Sequence, residues 1–546
     1  MKNYRFFFYT VVLFFSSFNL GAQEYYWIAF SDKNLTQFSL SSPGDYLSER
    51  AIQRRIRQNI AIDSLDLPVN QNYIKDVINL GARLIHSSKW LNGITVKAET
   101  ESFNIKVAKL PFVKEVQLTK TTSTKSAIQK FDETSGIESI PIDASLYGPS
   151  VYQTSILNGQ FLHNRNYKGL GMQIAVLDGG FLNVDKYAAF DSLWANNQIL
   201  GTKDFVDPTD DFYSTNYHGM SVLSSMGGNV PGKLIGTATK ASYWMIRSED
   251  TDSEFLIEED NWVAAAEFAD SVGVDIINSS LGYTQFDDAA MNHPYSAIDG
   301  KTTRVTRGAN IAASRGMLVF ASAGNEGNKT WKYLVAPSDG EKVIGVGAVN
   351  KDSIPASFTS YGPAYGGKIK PNVAAVGWNT YLQKSDGSFG YSNGTSFSSP
   401  VMAGMAASYW QSVSHVPAVE IKKTIEKFSH LYSNPDVQLG FGVPDFKKAW
   451  EFYFPLGVNE LNRNSRWLVY PNPVTDILIL RNNGTDFHHE ISIEIYTLDG
   501  KLVQKWIKPD ANRIELRDLN SLPNGILLLK ISSANYSETI KLSKIH

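Results

Sequence analysis

The chain has 546 residues, 43% hydrophobic and 19% charged, with a formal net charge of −3. That composition suits a soluble protein of several domains, and without a long basic run it points away from a nucleic-acid partner. There is no cysteine, which rules out disulfides, thiolate metal sites and a cysteine nucleophile.

Residues 1–22 open with M-K-N-Y-R, continue with an apolar run and end on small residues. This is the pattern of a secretory signal, with cleavage expected after Ala22. Its apolar stretch, roughly 10–13 residues, is shorter than the ~20 a membrane span needs. No other segment is long and apolar enough to span, so the chain is expected to be exported. Tyr25–Phe30 reads as a strand, Pro43–Ile60 and Asn70–Leu80 as regions with helical spacing, and Gly81–Lys97 as strands around an Asn92-Gly93 turn. Lys109–Leu118 would close this first unit. Thr119–Ser145 is polar and reads as an exposed linker that tolerates cleavage.

The middle of the chain alternates apolar runs with helical patterns, as an α/β sheet does. Ile174–Leu177, Ala241–Arg247, Val274–Asn278, Leu318–Ser322 and Val343–Val349 are strand candidates. Asn261–Val272, Ala309–Arg315 and Val401–Trp410 are helix candidates. Phe286–Arg307 looks like an excursion without a motif. Pro455–Arg466 reads as a second linker. Beyond it, alternating runs such as I-L-I-L-R and I-S-I-E-I-Y, with turns at Asn482-Asn483-Gly484, Asp499-Gly500 and Asn524-Gly525, predict a small all-β sandwich.

Three short segments carry chemistry. In I-A-V-L-D-G-G a buried-looking strand runs into Asp178, the place where open α/β sheets put their reacting groups. In N-Y-H-G-M-S, His218 stands at the start of a helix of small and apolar residues. In Y-S-N-G-T-S-F-S-S-P, Ser396 is delivered to a helix N-terminus, which favours developing negative charge. Each alone reads as ordinary structure: a strand end, one of nine histidines, a serine-rich helix cap. Together they give the order Asp, His, Ser, one of the known linear orders of a Ser-His-Asp triad.

With V-F-A-S-A-G-N-E-G (residues 319–327) as a fourth block, the chain resembles the subtilisin-like serine peptidases over residues 147–453. The resemblance implies a parallel-sheet peptidase domain with helices on both faces and catalytic residues Asp178, His218 and Ser396. It implies an oxyanion-hole donor at Asn325. It also implies substrate-binding walls at Ser280, Leu281 and Gly282 (the S-L-G segment) and at Ala323 and Gly324. Three positions depart from the family pattern: Gly179 replaces the usual Thr or Ser, Met220 a Thr, and Phe397 a Met. None removes a reacting group.

By position and pattern, residues 23–120 resemble the inhibitory α+β prodomain of these enzymes, with the maturation cut expected in the linker 121–146. After the linker 454–466, residues 467–546 (V-Y-P-N-P-V-T-D-I-L, then L-D-G and L-P-N-G) resemble the sorting domain of type IX secretion. The expected partners are therefore protein or peptide substrates, the chain's own prodomain and the type IX machinery. The expected location is outside the cell or on its surface, reached through the periplasm and outer membrane of a Gram-negative bacterium. No cofactor is expected to be required. A structural calcium is compatible with the family, but Asp207–Asp211 and Glu258–Asp260 lack the spacing of a calcium loop and read as a solvated acidic face. The competing readings are a catalytically silent surface scaffold and another serine hydrolase. The latter normally shows a G-x-S-x-G elbow with acid and histidine after the serine.

Overall fold

The computed structural model describes residues 23–121, 130–131, 146–454, 466–482, 490–509, 511–533 and 536–544. The signal segment and most of both expected linkers lie outside the described residues.

The first unit is a four-stranded antiparallel sheet in the order Ala82–Ser88, Gly93–Ala98, Glu24–Phe30, Val113–Thr121. Two helices join it. Glu49–Arg57 starts at Ser48, whose hydroxyl accepts the Ala51 N–H, and Gln71–Asn79 starts at Asn70, whose side chain accepts the Asn72 N–H. The unit buries its own apolar core of Ile28, Ile94, Val96, Phe103 and Val107.

The second unit is a seven-stranded sheet. Its strands run Val373–Val376, Ile344–Val349, Leu318–Ser322, Ile276–Ser279, Gln173–Asp178, Ser242–Arg247, Ile199–Asp204, all parallel. Both faces are covered, so the central strands are continuous apolar runs rather than alternating ones; Ile174, Ala175, Val176 and Leu177 are all fully buried. On one face lie the helices His218–Gly227 and Thr395–Ser412. Thr395–Ser412 threads the core and is buried from Thr395 to Trp410, which its run of Ala and Gly allows by letting neighbours approach closely. The other face carries the helices Ile257–Val272 and Arg304–Ser314.

The first unit sits on these last two helices, and this overturns one expectation. Glu258, Glu259 and Asp260 are not a solvated face: the first two are fully buried and Asp260 is 4% exposed. The helix expected to begin at Asn261 begins instead at Ile257, and the three acids form its first turn, where the helix dipole favours negative charge. Each has partners. Asp260 takes the Arg304 Nε–H at 2.7 Å and the Thr95 hydroxyl at 3.0 Å, and Glu259 takes His293 and the Val305 N–H. At the far end of the same helix, Asp270 gathers Arg54, Arg55 and Lys89 from the first unit, all nearly or fully buried.

The third unit pairs Trp467–Tyr470, Leu478–Asn482 and Arg513–Leu516 in one antiparallel sheet. Leu502–Lys508, Ile491–Thr497, Gly525–Ser533 and Tyr536–Lys544 form the other. The inward residues of both make one core, as in a sandwich. Asn472 of the Y-P-N-P segment donates to the Lys541 carbonyl and accepts the Ser543 N–H, which ties that segment to the last strand.

Candidate active site

Asp178 ends the strand Gln173–Asp178 and is fully buried. His218 opens the helix His218–Gly227, held there by Asn216, whose side chain accepts the His218 N–H at 2.9 Å. The His218 Nδ1 lies 2.7 Å from Asp178 Oδ1. A carboxylate can only accept, so Nδ1 carries the proton and Nε2 is left as a base. The two elements meet this closely because residue 219 is glycine: a Cβ there would stand 2.8 Å from Asp178 Cβ and 2.5 Å from the Gly180 carbonyl oxygen.

Ser396 lies in the first turn of the helix Thr395–Ser412 and is 9% exposed. A run of hydrogen bonds fixes that turn to the end of the neighbouring strand. Ser399 donates to Asn278, Asn278 to Ser280, and Ser280 to the Ser396 carbonyl at 2.7 Å. The Ser396 hydroxyl itself donates to the Ser280 carbonyl at 3.3 Å, a long and replaceable bond. Asn325 follows the strand Leu318–Ser322. Its Oδ1 accepts from Thr395 twice, from N–H at 2.8 Å and from the hydroxyl at 2.9 Å. That commits the oxygen and leaves the Nδ2 amide as the donor end, beside the serine turn. Gly394, at φ +152°, holds the turn open; a Cβ there would lie 3.6 Å from Asn325 Nδ2.

The structure thus brings Asp178 to His218, and Asn325 and Ser280 to the Ser396 turn, at the carboxyl ends of adjacent parallel strands. Ser280, Leu281 and Gly282 continue from the strand Ile276–Ser279, with Leu281 accepting the Ser322 hydroxyl. Ala323 accepts the Val335 N–H, and Gly324 donates to the Thr395 hydroxyl. These two segments run alongside each other into the serine turn.

Sequence reasoning missed two residues at this site. Phe131 lays its ring on the His218 imidazole, with centroids 3.9 Å apart and planes at 19°, and its carbonyl accepts the Tyr217 hydroxyl at 3.0 Å. Lys130, beside it, reaches Glu249, Glu254 and Glu258. The segment read as an exposed linker therefore places these two residues in the cleft, because an aromatic ring and a paired ammonium both gain from burial there. One signal was available: Phe131 is the single aromatic residue between Thr119 and Ser145. Among the described residues these glutamates are also the one carboxylate cluster whose spacing could hold a metal, with candidate ligand atoms within 4.8 Å of one another.

With this geometry in hand, the comparisons with known proteins are specific. Residues 169–443, half of the chain, match the model of the subtilase family. The chain belongs to the subtilase family. Residues 25–134 match a peptidase S8 propeptide domain of Bacteroidota, and residues 468–544 a secretion system C-terminal sorting domain. Subtilisin NAT of Bacillus subtilis subsp. natto is 29% identical over 266 residues, which is 48% of this chain and 61% of that protein. A thermostable alkaline protease of Halalkalibacterium halodurans is 25% identical over 320 residues, 58% of this chain and 77% of that one. A crystal structure of an epidermin leader peptide processing serine protease from Staphylococcus aureus shares the fold. Its TM-score is 0.53 at 17% identity, covering 79% of this chain and 98% of that one. No described helix of this subtilase is long and apolar enough to cross a membrane.

Proposed function

We propose that this subtilase is the precursor of an exported serine endopeptidase that hydrolyses peptide bonds through Asp178, His218 and Ser396. The observation that carries the reading is the buried 2.7 Å contact from His218 Nδ1 to Asp178 with the Ser396 turn and Asn325 at the same sheet edge. Ser396 Oγ exchanges its long bond to the Ser280 carbonyl for His218 Nε2, gives up its proton and attacks the substrate carbonyl. The imidazolium so formed is stabilised by Asp178, which stays ionised, and it passes the proton to the leaving amine. The backbone N–H of Ser396 and Asn325 Nδ2 hold the oxyanion, and water then releases the acyl group by the same steps in reverse. Ser280–Gly282 and Ala323–Gly324 flank the bound peptide.

The proposed organisation is a signal segment 1–22, a prodomain 23–120, a linker 121–146 with the maturation cut, a peptidase domain 147–453, a linker 454–466 and a sorting domain 467–546. The propeptide match and the stacking of Phe131 on His218 support inhibition of the precursor by its own leader. The sorting-domain match supports type IX export to the medium or the cell surface. No step in the mechanism needs a cofactor. A structural calcium remains compatible, with no ligands assigned.

Mass spectrometry of secreted wild type beside Ser396→Ala tests the reading. The wild type is expected to lose residues up to the linker while the mutant retains them, and the mutant's casein hydrolysis should fall by roughly 10⁴-fold or more. Equal casein hydrolysis by both would end the assignment. No hydrolysis by either would favour the silent-scaffold reading.

A further inference from the structure

The Lys130 side chain is 9% exposed, and its ammonium lies 2.8 Å from a carboxylate oxygen of each of Glu249, Glu254 and Glu258. The three glutamates belong to the peptidase domain: they sit between the strand Ser242–Arg247, which flanks the Asp178 strand, and the first turn of the helix Ile257–Val272. They are held by groups that stay with that domain. The Tyr283 hydroxyl donates to Glu249 at 2.9 Å, and the Asp250 and Phe255 N–H groups donate to the two oxygens of Glu258. Only the cation comes from the linker. Its chain neighbour is Phe131, the ring on the His218 imidazole, so these two consecutive residues place one side chain over His218 and the other in the acidic pocket.

From this we infer that the Glu249–Glu254–Glu258 pocket is a specificity site of the mature peptidase. It takes the lysine side chain of a substrate at the position immediately N-terminal to the residue that covers His218. The inference rests on the peptidase reading above, in which the linker is cut and withdraws. Its departure strips the pocket of its one cation. Buried carboxylates without a counter-charge are costly: they either take up protons, as burial already presses Glu254 and Glu258 to do, or pair with an entering cation, and three carboxylates converging on one point suit the second. The donor count argues for an ammonium: lysine offers three N–H donors, and the pocket offers three carboxylates, one for each. A calcium ion takes six to eight oxygens, whereas both Glu258 oxygens and one of Glu249 are already engaged. The guanidinium of arginine is planar and broader than this three-sided cage, so lysine should be preferred to it.

Peptides copying residues 127–136, with Lys, Arg, norleucine or Glu at the Lys130 position, test this on the mature enzyme. Norleucine keeps the stem and removes the charge. The expected kcat/KM for Lys over norleucine is about 10-fold or more, the range of a charge-assisted hydrogen bond. Glu254→Gln, at the more open side of the pocket, should bring that ratio towards one, and Glu249→Gln should do the same. Equal turnover of the Lys and norleucine peptides, or a lysine preference untouched in both variants, would overturn the inference. So would a lysine preference that vanishes when calcium chloride alone is added, which would make the pocket a metal site. Calorimetry of the same peptides on mature-length Ser396→Ala protein reads the pocket without catalysis. Tighter binding of the Lys peptide there, with no turnover of any peptide by wild type, would keep the pocket and remove the peptidase reading. Equal binding would remove the pocket.

Discussion

At the scale of single residues, the site depends on donors and spacers that do no bond-making themselves. Asn325 is held by its oxygen, through two bonds from Thr395, so its amide is already oriented before substrate arrives. Such preorganised donors act mainly on the transition state. Asn325→Ala should lower kcat by roughly 10²–10³ with little change in KM, a size carried over from the equivalent asparagine of subtilisin. Steady-state kinetics on a peptide amide would check it; a loss confined to KM would mean Asn325 binds substrate rather than the oxyanion. Gly219 is a spacer. A methyl there would press on Asp178 Cβ and the Gly180 carbonyl. Gly219→Ala should therefore destabilise the fold by about 1–3 kcal/mol, the usual range for overpacking, and reduce kcat by parting the His–Asp pair. Thermal denaturation and activity measured together would check it, and an unchanged melting temperature would show that the helix can shift freely.

At the scale of elements, the helix Ile257–Val272 is the seat of the prodomain, and charge rather than apolar area defines its ends. Burial pushes the Asp270 carboxyl up, but Lys89, Arg54 and Arg55 outweigh it and hold it down at about 2. If the prodomain dissociates, those three cations go with it, and so does their downward pull on Asp270. The pKa is thus depressed in the complex, so this contribution is present above about pH 4 and is lost as pH falls towards 2. Asp260 behaves oppositely: burial raises it to about 6 in spite of Arg304, so its contribution favours the complex at low pH and fades as pH rises through 6. Between about pH 4 and 6 Asp260 is opposed by His86 of the first unit, which burial against Phe205 and Asn261 lowers to about 4 and which therefore costs the complex as pH falls, so the marked change is the acid limb below about pH 4 set by Asp270. Asp270→Asn should weaken the prodomain's grip by about 3–5 kcal/mol, since three buried cations lose their shared partner, and should flatten the acid limb of the profile. Inhibition of the mature enzyme by added prodomain, measured from pH 3 to 8, would check both; an Asp270→Asn profile parallel to wild type would refute the charge argument.

At the scale of the whole molecule, three units divide the work. The parallel sheet brings together strands far apart in sequence: Gln173–Asp178 lies between Ser242–Arg247 and Ile276–Ser279. Non-local pairing of this kind folds slowly, because long loops must close before any contact rewards them. A prodomain clamped on two helices of that sheet suits such a problem. The C-terminal sandwich has a core of its own and contains none of Asp178, His218, Asn325 and Ser396. Deleting residues 467–546 should stop export while leaving the peptidase competent, so activity should appear inside the cells and not in the medium or on the surface. Fractionation with a peptide assay would check it, and undiminished export would show that the sandwich serves another purpose.

Much of this was legible in the chain itself. Apolar strands ending in Asp178 or leading to Asn325, and small residues behind Ser396, are local patterns that a parallel sheet and a buried helix impose directly on sequence. The alternation of the C-terminal strands is local in the same way. What only the tertiary structure decided was the meaning of charge. Glu258, Glu259 and Asp260 are written as a surface would be, yet they are buried, because their counter-charges and donors lie 34 to 165 positions away, at Lys130, His293, Arg304 and Thr95. Arg54 and Arg55 sit in a charge-rich helix and close on Asp270 more than 200 residues on. The hydrophobic pattern of an element is set by its own period, whereas an ion pair depends on which distant group the fold brings within about 3 Å. For that reason Asp178, His218 and Ser396 could be singled out from the sequence, while the glutamates that surround Lys130 could not.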